Sequence, residues 1–390
     1  MTTPVYLDNH ATTRVDPRVL AVMLPWFGEE YGNAASRQHA FGWRAEAAVE
    51  LARGRVARLI GADPGEVIFT SGATESINLA LKGIVQAGSV SGSHVITSAI
   101  EHRAVLDTCR ALERSGVHVT VLPVDRHGLV APEHVMDAIT PRTVLVSIMT
   151  ANNEVGTLEP VAAIGSLCAE RGIAFHSDAA QAVGRVPVDV RVLNVTALSF
   201  CAHKMYGPKG VGVLYLRSSR PPGSLVSQID GGGHERGLRS GTLNVPGIVG
   251  FGEAASLAGA ELQDEMERIR ALRDRLEAGI ASALADITVN GHPVQRLPHN
   301  ASIAFGGVTA DRLMMEMKDI AVSAGSACGS AQAGSSHVLR ALGLPAQTAS
   351  STLRFGLGRF TTGEEIDYTI RRVVETVAAI RARTPTFEPA

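Results

Sequence analysis

Residues 173–203 read IAFHSDAAQAVGRVPVDVRVLNVTALSFCAH, and two short apolar runs within this stretch decide the fold class. The runs are IAFHSDA (173–179) and ALSFCAH (197–203). Both have the length of a buried strand, and both end in polar residues. Parallel strands present their carboxyl ends at the same edge of a sheet, where α/β proteins gather their ligands. We therefore expect a binding site among the residues that follow these two strands.

The same kind of short run recurs on both sides of this stretch. The others are VIFT (67–70), HVITS (94–98), HVTVLPV (118–124), TVLVSIM (143–149) and GVGVLYLR (210–217). Helical patterns separate several of them, near 103–114 and 160–171, and an earlier helix over 46–61 ends on Gly61. This alternation predicts an α/β fold with a mostly parallel seven-stranded sheet and helices on both faces.

The last third of the chain follows a different pattern. Residues 246–285 show a long, interrupted helical pattern, which we interpret as a bridge between two domains. Three strand-like runs come after it, NASIAFGG (300–307), IAVSAG (320–325) and STLRFGL (351–357). A chain of 390 residues is expected to form two packed domains. We predict a large domain over 16–258 and a smaller α+β domain formed by 1–15 and 259–390.

Composition and charge exclude several classes of function. The net charge is −2 without a Lys/Arg tract, so no nucleic-acid partner is expected. The N-terminus lacks a signal-peptide pattern, and no run of about 20 apolar residues predicts a membrane span. The four cysteines, Cys109, Cys168, Cys201 and Cys328, are far apart and form no CxxC, so neither a disulfide framework nor a metal site is expected. These features favour a cytoplasmic protein.

The motif TSGATES (70–76) follows the run VIFT and starts a predicted helix. Small residues and hydroxyls at a helix N-terminus form an anion site, because the free N–H groups and the helix dipole both favour negative charge. The alternative is a capped helix start with Glu75 in the first turn. For the motif taken alone, that alternative is the better interpretation.

The position of Lys204 favours an anion site over a simple helix cap at TSGATES. Lys204 follows the run ALSFCAH, where a lysine could simply be solvated. A lysine at the edge of a sheet, near a phosphate site and an aspartate, can instead bind pyridoxal phosphate (PLP) covalently while the carboxylate keeps the pyridine nitrogen protonated. Asp178 supplies that carboxylate at the end of the preceding strand. The anion motif, Asp178 and Lys204 together predict a PLP enzyme.

A longer series of motifs resembles one family along nearly the whole chain. The motifs are YLDNHATT (6–13), TSGATES (70–76), EHRAVLDTC (101–109), NNEVG (152–156), HSDAAQAVG (176–184), AHKMYGPKG (202–210), GGGHERGLRSGT (231–242), SAGSACGS (323–330) and LRFGLGRFTTGEEIDYTI (353–370). Together they resemble the cysteine desulfurases of the IscS/NifS type, class-V aminotransferases with PLP fold type I. The resemblance implies PLP as cofactor, L-cysteine as substrate, and a homodimer with two active sites at its interface.

The resemblance assigns roles around the cofactor ring. Lys204 would bind PLP covalently, Asp178 would contact the pyridine nitrogen, and Gln181 would contact the ring hydroxyl. His102 would stack on the ring and act as an acid/base. Without the resemblance, a surface histidine at a helix start would be the better interpretation of His102.

It also implies the residues that bind the phosphate and the substrate. Those for the phosphate are Ala73, Thr74, Cys201, His203 and, from the other subunit, Thr242. Arg354 would bind the substrate carboxylate, for which the planar fork of arginine is well suited, and Asn153 would lie beside both cofactor and carboxylate. Most family members have serine where this chain has Cys201, and a thiol is the weaker hydrogen-bond donor.

Cys328 decides which reaction is expected. It lies in SAGSACGSAQAGSSH (323–337), whose small and polar residues predict an exposed loop. Such a loop could be only a surface turn, but the resemblance to the SGSAC motif of group I implies a nucleophilic thiol. Cys109 and Cys168 fall in helical patterns and are expected to be structural. The expected reaction therefore leaves alanine and a persulfide on Cys328, whose sulfur passes to an acceptor protein.

Two other functions remain open. A selenocysteine lyase or a transaminase would use the same fold, although transamination needs no loop cysteine. A non-catalytic platform for iron–sulfur cluster assembly is the alternative from another class. The presence of Lys204, Asp178, His102 and Cys328 argues against such a platform.

Overall fold

The computed structural model describes residues 4–88, 90–218, 225–324 and 336–383. Within them the strands are β1 Val5–Tyr6, β2 Val67–Thr70, β3 His94–Ser98, β4 His118–Leu122, β5 Thr143–Ser147, β6 Ala174–Asp178, β7 Ala197–Cys201, β8 Gly212–Leu216, β9 Ile287–Val289, β10 Asn300–Phe305, β11 Ile320–Ala321, β12 Ser323–Ala324 and β13 Thr352–Gly356. The α-helices are α1 Pro17–Met23, α2 Pro25–Gly28, α3 Ala40–Leu59, α4 Ala73–Ala87, α5 Arg103–Glu113, α6 Pro132–Ala138, α7 Val161–Glu170, α8 Val245–Ala283, α9 Ala310–Glu316, α10 His337–Ala341, α11 Ala346–Ser350 and α12 Gly363–Arg383.

A seven-stranded sheet forms the centre of the molecule, in the order β2-β8-β7-β6-β5-β3-β4. The five strands from β7 to β4 are parallel, and β8 runs antiparallel to both of its neighbours. Helices α3, α7 and α8 pack on one face, whereas α4 and α5 pack on the other. All seven predicted strands belong to this sheet, so the predicted α/β fold is confirmed.

A second hydrophobic core surrounds a smaller sheet of order β12-β13-β10-β9. The long helix α8 takes part in both cores: its buried residues up to Ala258 face the large sheet, and those from Ile269 onward face the small one. The predicted domain boundary at residue 258 stays a prediction, and this change of core supports it.

The prediction of an interrupted helix over 246–285 is wrong, because helix α8 is continuous over Val245–Ala283. The glycines of this helix allow close packing against neighbouring helices. A Cβ on Gly252 would lie 2.6 Å from the Cα of Ala52 in α3, and one on Gly250 would lie 2.4 Å from the sulfur of Met23 in α1. The glycines are therefore required by the neighbouring helices.

Two other predicted elements differ from the structure. The run 320–325 is not one strand, because β11 pairs in parallel with the N-terminal strand β1, while β12 pairs with β13; Gly325 lies outside the described residues. Helix α3 begins at Ala40, before the predicted start at residue 46, because His39 caps it by accepting a hydrogen bond from the N–H of Gly42. Its predicted end is nearly correct, with Gly61 at φ +69°. Across the described ranges, no helix has the length and apolar character needed to span a membrane.

Candidate active site

A cavity of about 450 Å³ opens at the carboxyl edge of the large sheet. It brings together nine of the residues predicted for the site, namely Ala73, Thr74, His102, Asn153, Asp178, Gln181, Cys201, His203 and Lys204. Thr242 and Arg354 do not line it. Cys328 lies outside the described residues.

One end of the cavity is the start of helix α4, directly after strand β2. Gly72 occupies the N-cap position, and no side chain caps the helix there. Strand β8 approaches this turn so closely that a Cβ on Gly212 would lie 2.5 Å from the Cα of Gly72. Glu75 accepts a hydrogen bond from the N–H of Ser71 at 2.7 Å, so the expected first-turn contact is also present. The turn therefore combines a stabilised loop with helix N–H groups directed at an anion site.

Asp178 and Lys204 come from the adjacent strands β6 and β7. Asp178 is buried and accepts a hydrogen bond from the N–H of Ala180 at 2.9 Å. Burial raises the pKa of Asp178, and the nearby charges of His102 and Lys204 oppose this shift. A carboxylate held in such surroundings is stabilised by a cationic partner.

Lys204 ends a short 3₁₀ helix over Ala202–Lys204. Its Nζ donates hydrogen bonds to the carbonyl oxygens of His10 and Ala11, the latter at 2.8 Å. Its own carbonyl accepts from Arg185 Nη2 at 2.7 Å. Arg185 in turn stacks on Tyr206, 4.2 Å from the ring centroid. Lys204 is therefore fixed at two points, its main-chain carbonyl and its side-chain ammonium group.

His102 is both a helix cap and a cavity residue, so each sequence interpretation is partly right. Its Nδ1 accepts a hydrogen bond from the N–H of Ala104 at 3.1 Å at the start of α5. In the neutral ring the proton is therefore on Nε2. The preceding Glu101 was missed from the sequence: it is fully buried, and its Oε1 accepts from Ser98 Oγ and Met149 N, both at 2.8 Å. Glu101 thus fixes the turn that presents His102.

Arg354 lies in strand β13, behind the part of the cavity lined by Asn153. Its Nη1 donates to the carbonyl oxygen of Asn153 at 2.9 Å, and its Nη2 donates to Asp8 Oδ1 at 2.8 Å. Nε is buried without a hydrogen-bond partner among the described residues. The predicted contact between Arg354 and a substrate carboxylate stays a prediction, since both Nη atoms are bonded within the protein.

Thr242 is exposed at the end of the segment 231–242. Two ion pairs hold this segment to the large domain: Arg53 binds Glu235 at 2.8 Å, and Arg239 binds Glu75 at 2.8 Å. Its predicted role in the site of a second subunit stays a prediction, and its exposure is compatible with that role.

The family model "Aminotransferase class-V" matches residues 5–369 of this sequence. The chain belongs to the class-V aminotransferases. It is 54% identical over 388 residues to the cysteine desulfurase IscS of Anaeromyxobacter dehalogenans, an alignment that covers 100% of this chain and 96% of that protein. A solved NifS-like protein superposes with a TM-score of 0.89 at 38% identity and covers 96% of this chain and 99% of its own. The structure of SspA in complex with cysteine gives a TM-score of 0.81 at 36% identity. The match covers 93% of this chain and 100% of that chain.

PLP is the cofactor of this class-V enzyme, and the cavity residues fit it. The start of α4 suits the phosphate, buried Asp178 suits a protonated pyridine nitrogen, and Lys204 lines the same cavity. Charge and hydrogen-bonding capacity therefore match a planar, phosphorylated pyridine.

Cys201 and the two other described cysteines are all buried. Burial raises the pKa of Cys109 and of Cys168 to about 12, which leaves these thiols protonated and poorly nucleophilic. Cys201 differs because it lines the cavity and accepts hydrogen bonds from the N–H groups of Ala73 and Lys204, although burial still raises its pKa to about 11. Its protonated thiol therefore lies at the phosphate end of the cavity.

Replacement of Cys201 with serine should strengthen PLP binding by about 1 kcal/mol or less, because a hydroxyl donates a stronger hydrogen bond than a thiol. Cofactor affinity is measured by titrating the apoprotein with PLP. Cys109→Ser, which makes the same change at a buried position in α5, is the matched control and should leave the affinity unaltered. Equal or weaker PLP binding by Cys201→Ser would remove this interpretation.

Proposed function

We propose that this PLP-dependent cysteine desulfurase takes sulfur from L-cysteine, releases L-alanine and keeps the sulfur as a persulfide on Cys328. The observation that carries the proposal is the convergence of Lys204, Asp178 and His102 on one cavity beside the start of α4. Similarity to IscS over the whole chain supports the substrate.

Different residues of the site bind the substrate and transfer its protons. Asn153, which lines the cavity, and Arg354, whose Nη1 donates to the Asn153 carbonyl, bind the substrate carboxylate. When bound, PLP supplies an electron sink conjugated with the substrate Cα. Lys204 Nζ would act as the base that removes the Cα proton. His102, protonated on Nε2 in its neutral form, serves as the second acid/base.

Cys328 carries out the sulfur transfer. Its thiolate attacks the substrate sulfur, so that an S–S bond forms while the Cβ–S bond breaks. The electron pair of the broken bond stays with the Cβ carbon, and a proton added there completes the methyl group of alanine. Atoms and charge balance without an external oxidant, because the sulfur moves as the equivalent of S⁰.

The products distinguish this reaction from its alternatives. The PLP-loaded enzyme is supplied with L-cysteine, and alanine, sulfide and protein persulfide are measured together. Alanine and sulfane sulfur in equal amounts support the proposal. Consumption of cysteine only when an oxo acid is present would indicate a transaminase, and turnover restricted to selenocysteine would indicate the lyase. No turnover of either amino acid would favour the non-catalytic platform.

The sulfur is passed to an acceptor protein, for iron–sulfur cluster assembly or for thiolation of another cofactor or of tRNA. We place this transfer in the cytoplasm. The described cysteines, all buried and free, support a reducing compartment.

The enzyme acts as a homodimer. Large apolar side chains are exposed in the N-terminal segment 27–43, among them Phe27 (65%), Tyr31 (69%) and Trp43 (55%), which is the usual character of an interface. Light scattering on the purified protein should give twice the mass of one chain. A monomer that retains full activity would contradict the dimer and the role of Thr242 in the partner's site.

A further inference from the structure

His10, in the motif YLDNHATT, lies directly behind the candidate active site without lining it. Its side chain is buried between the cavity and the smaller sheet, and it stacks on His299 with ring centroids 4.3 Å apart. Its carbonyl oxygen accepts hydrogen bonds from Lys204 Nζ and from Gln181 Nε2, the latter at 3.1 Å. His10 therefore contacts two cavity residues.

The hydrogen-bond partners of His10 determine which ring nitrogen carries the proton. Asn300 Nδ2 lies 3.2 Å from the carbonyl oxygen of Glu154. Because a carbonyl oxygen can only accept, the Asn300 atom at this position is the amide nitrogen and not Oδ1. The same nitrogen lies 3.1 Å from His10 Nε2 and donates to it. Nε2 is thus unprotonated, and the proton of the neutral ring is on Nδ1.

The neutral form of His10 is also favoured by its surroundings. Burial lowers the pKa of His10 well below its ordinary value, and the positive charges of Arg354, Lys204 and Arg185 lower it further, against a smaller opposite effect from Gln181. The ring therefore remains neutral, with a single N–H donor at Nδ1.

That donor fixes the orientation of the Gln181 amide. His10 Nδ1 donates to Gln181 Oε1 at 2.9 Å, and Gln181 Nε2 returns a hydrogen bond to the His10 carbonyl. With Oε1 occupied in this way, the amide cannot flip without placing its NH₂ group against the N–H of His10. One hydrogen of Nε2 remains for the cavity, which Gln181 lines.

We propose that His10 is a positioning residue that orients the amide of Gln181, so that Gln181 presents an N–H donor to the ring hydroxyl oxygen of PLP. The proposal rests on the proposed PLP-dependent function and on the contact with the ring hydroxyl that the sequence resemblance implies for Gln181. A donor at this oxygen stabilises its ionised form and so lowers the pH at which the visible absorption band of the bound cofactor titrates.

The test is a pH titration of that band in a matched pair of His10 variants. His10→Asn keeps an amide nitrogen near the Nδ1 position, whereas His10→Leu has no donor; both remove the stacking on His299. The apparent pKa of the band should rise by about one unit in His10→Leu, the equivalent of one lost hydrogen bond. It should stay close to the parent value in His10→Asn. Equal values in the two variants would overturn the proposal.

A second measurement tests whether His10 acts through Gln181. Gln181→Leu alone should raise the apparent pKa, and addition of His10→Leu should then have no further effect. Additive shifts would overturn the proposal. If His10→Leu does not fold, His10→Gln is used instead. The glutamine amide lies near the position of Nε2, so this variant also has no donor at the Nδ1 position.

Failure of this inference is distinguishable from failure of the proposed function. A parent enzyme that binds PLP and converts cysteine to alanine, with His10 variants that all titrate like the parent, would remove only the role of His10. A parent protein that binds no PLP would remove both.

Discussion

Replacement of Lys204 with alanine should lower the rate of alanine formation from L-cysteine by at least about 10³-fold, because one residue loses both its covalent bond to the cofactor and its role as the base at Cα. The variant should still bind PLP through the start of α4, Asp178 and Gln181. Retained cofactor with lost turnover is the expected combination, measured by absorbance and by an alanine assay. Lys318→Ala, at an exposed position outside the cavity, is the control and should match the parent enzyme.

Reduction with borohydride identifies the lysine directly. It should attach the pyridoxyl group to the peptide that contains Lys204 in the parent enzyme, and to no lysine in Lys204→Ala. An adduct on Lys82, Lys209 or Lys318 of the parent enzyme would contradict the assignment.

Replacement of Cys328 with alanine should stop sulfur transfer while leaving the earlier steps intact. Substrate binding and removal of the Cα proton depend on Lys204 and the cofactor, so the variant should still change its visible spectrum when cysteine is added. Alanine and sulfide should fall to the background of free PLP. Cys328→Ser should behave in the same way, because a serine hydroxyl is a far poorer nucleophile than a partly ionised thiol at neutral pH.

Cys168→Ala is the control for this experiment, since Cys168 is buried in α7 with a pKa raised to about 12. It should retain the parent rate of alanine formation per folded enzyme. Parent-like turnover by Cys328→Ala would exclude a persulfide on that residue as an intermediate.

The central sheet and the core of the candidate site were predictable because local patterns determine them. Seven short apolar runs became the seven strands, and the parallel arrangement brought Asp178 and Lys204 to one edge. The start of α4, which follows β2, lies near these two residues because α4 packs against the same sheet. Apolar runs of strand length carry this information without reference to distant parts of the chain.

Features that depend on contacts distant in sequence were not predictable in the same way. Helix α8 was predicted to be interrupted, and only its packing against α1 and α3 explains Gly250 and Gly252. The run 320–325 is divided because the N-terminal strand β1 pairs with its first half. His10 had no recognisable role in the sequence, because its function depends on Gln181 and Asn300, which lie 171 and 290 residues away.

Mass spectrometry after a pulse of L-cysteine tests the central claim most directly. The PLP-loaded enzyme is mixed with cysteine, free thiols are blocked by alkylation, and the peptides that contain each of the four cysteines are compared. One additional sulfur atom is expected on the Cys328 peptide and none on the peptides of Cys109, Cys168 or Cys201. An added sulfur on another cysteine, or alanine formation with no sulfur added to Cys328, would contradict this claim.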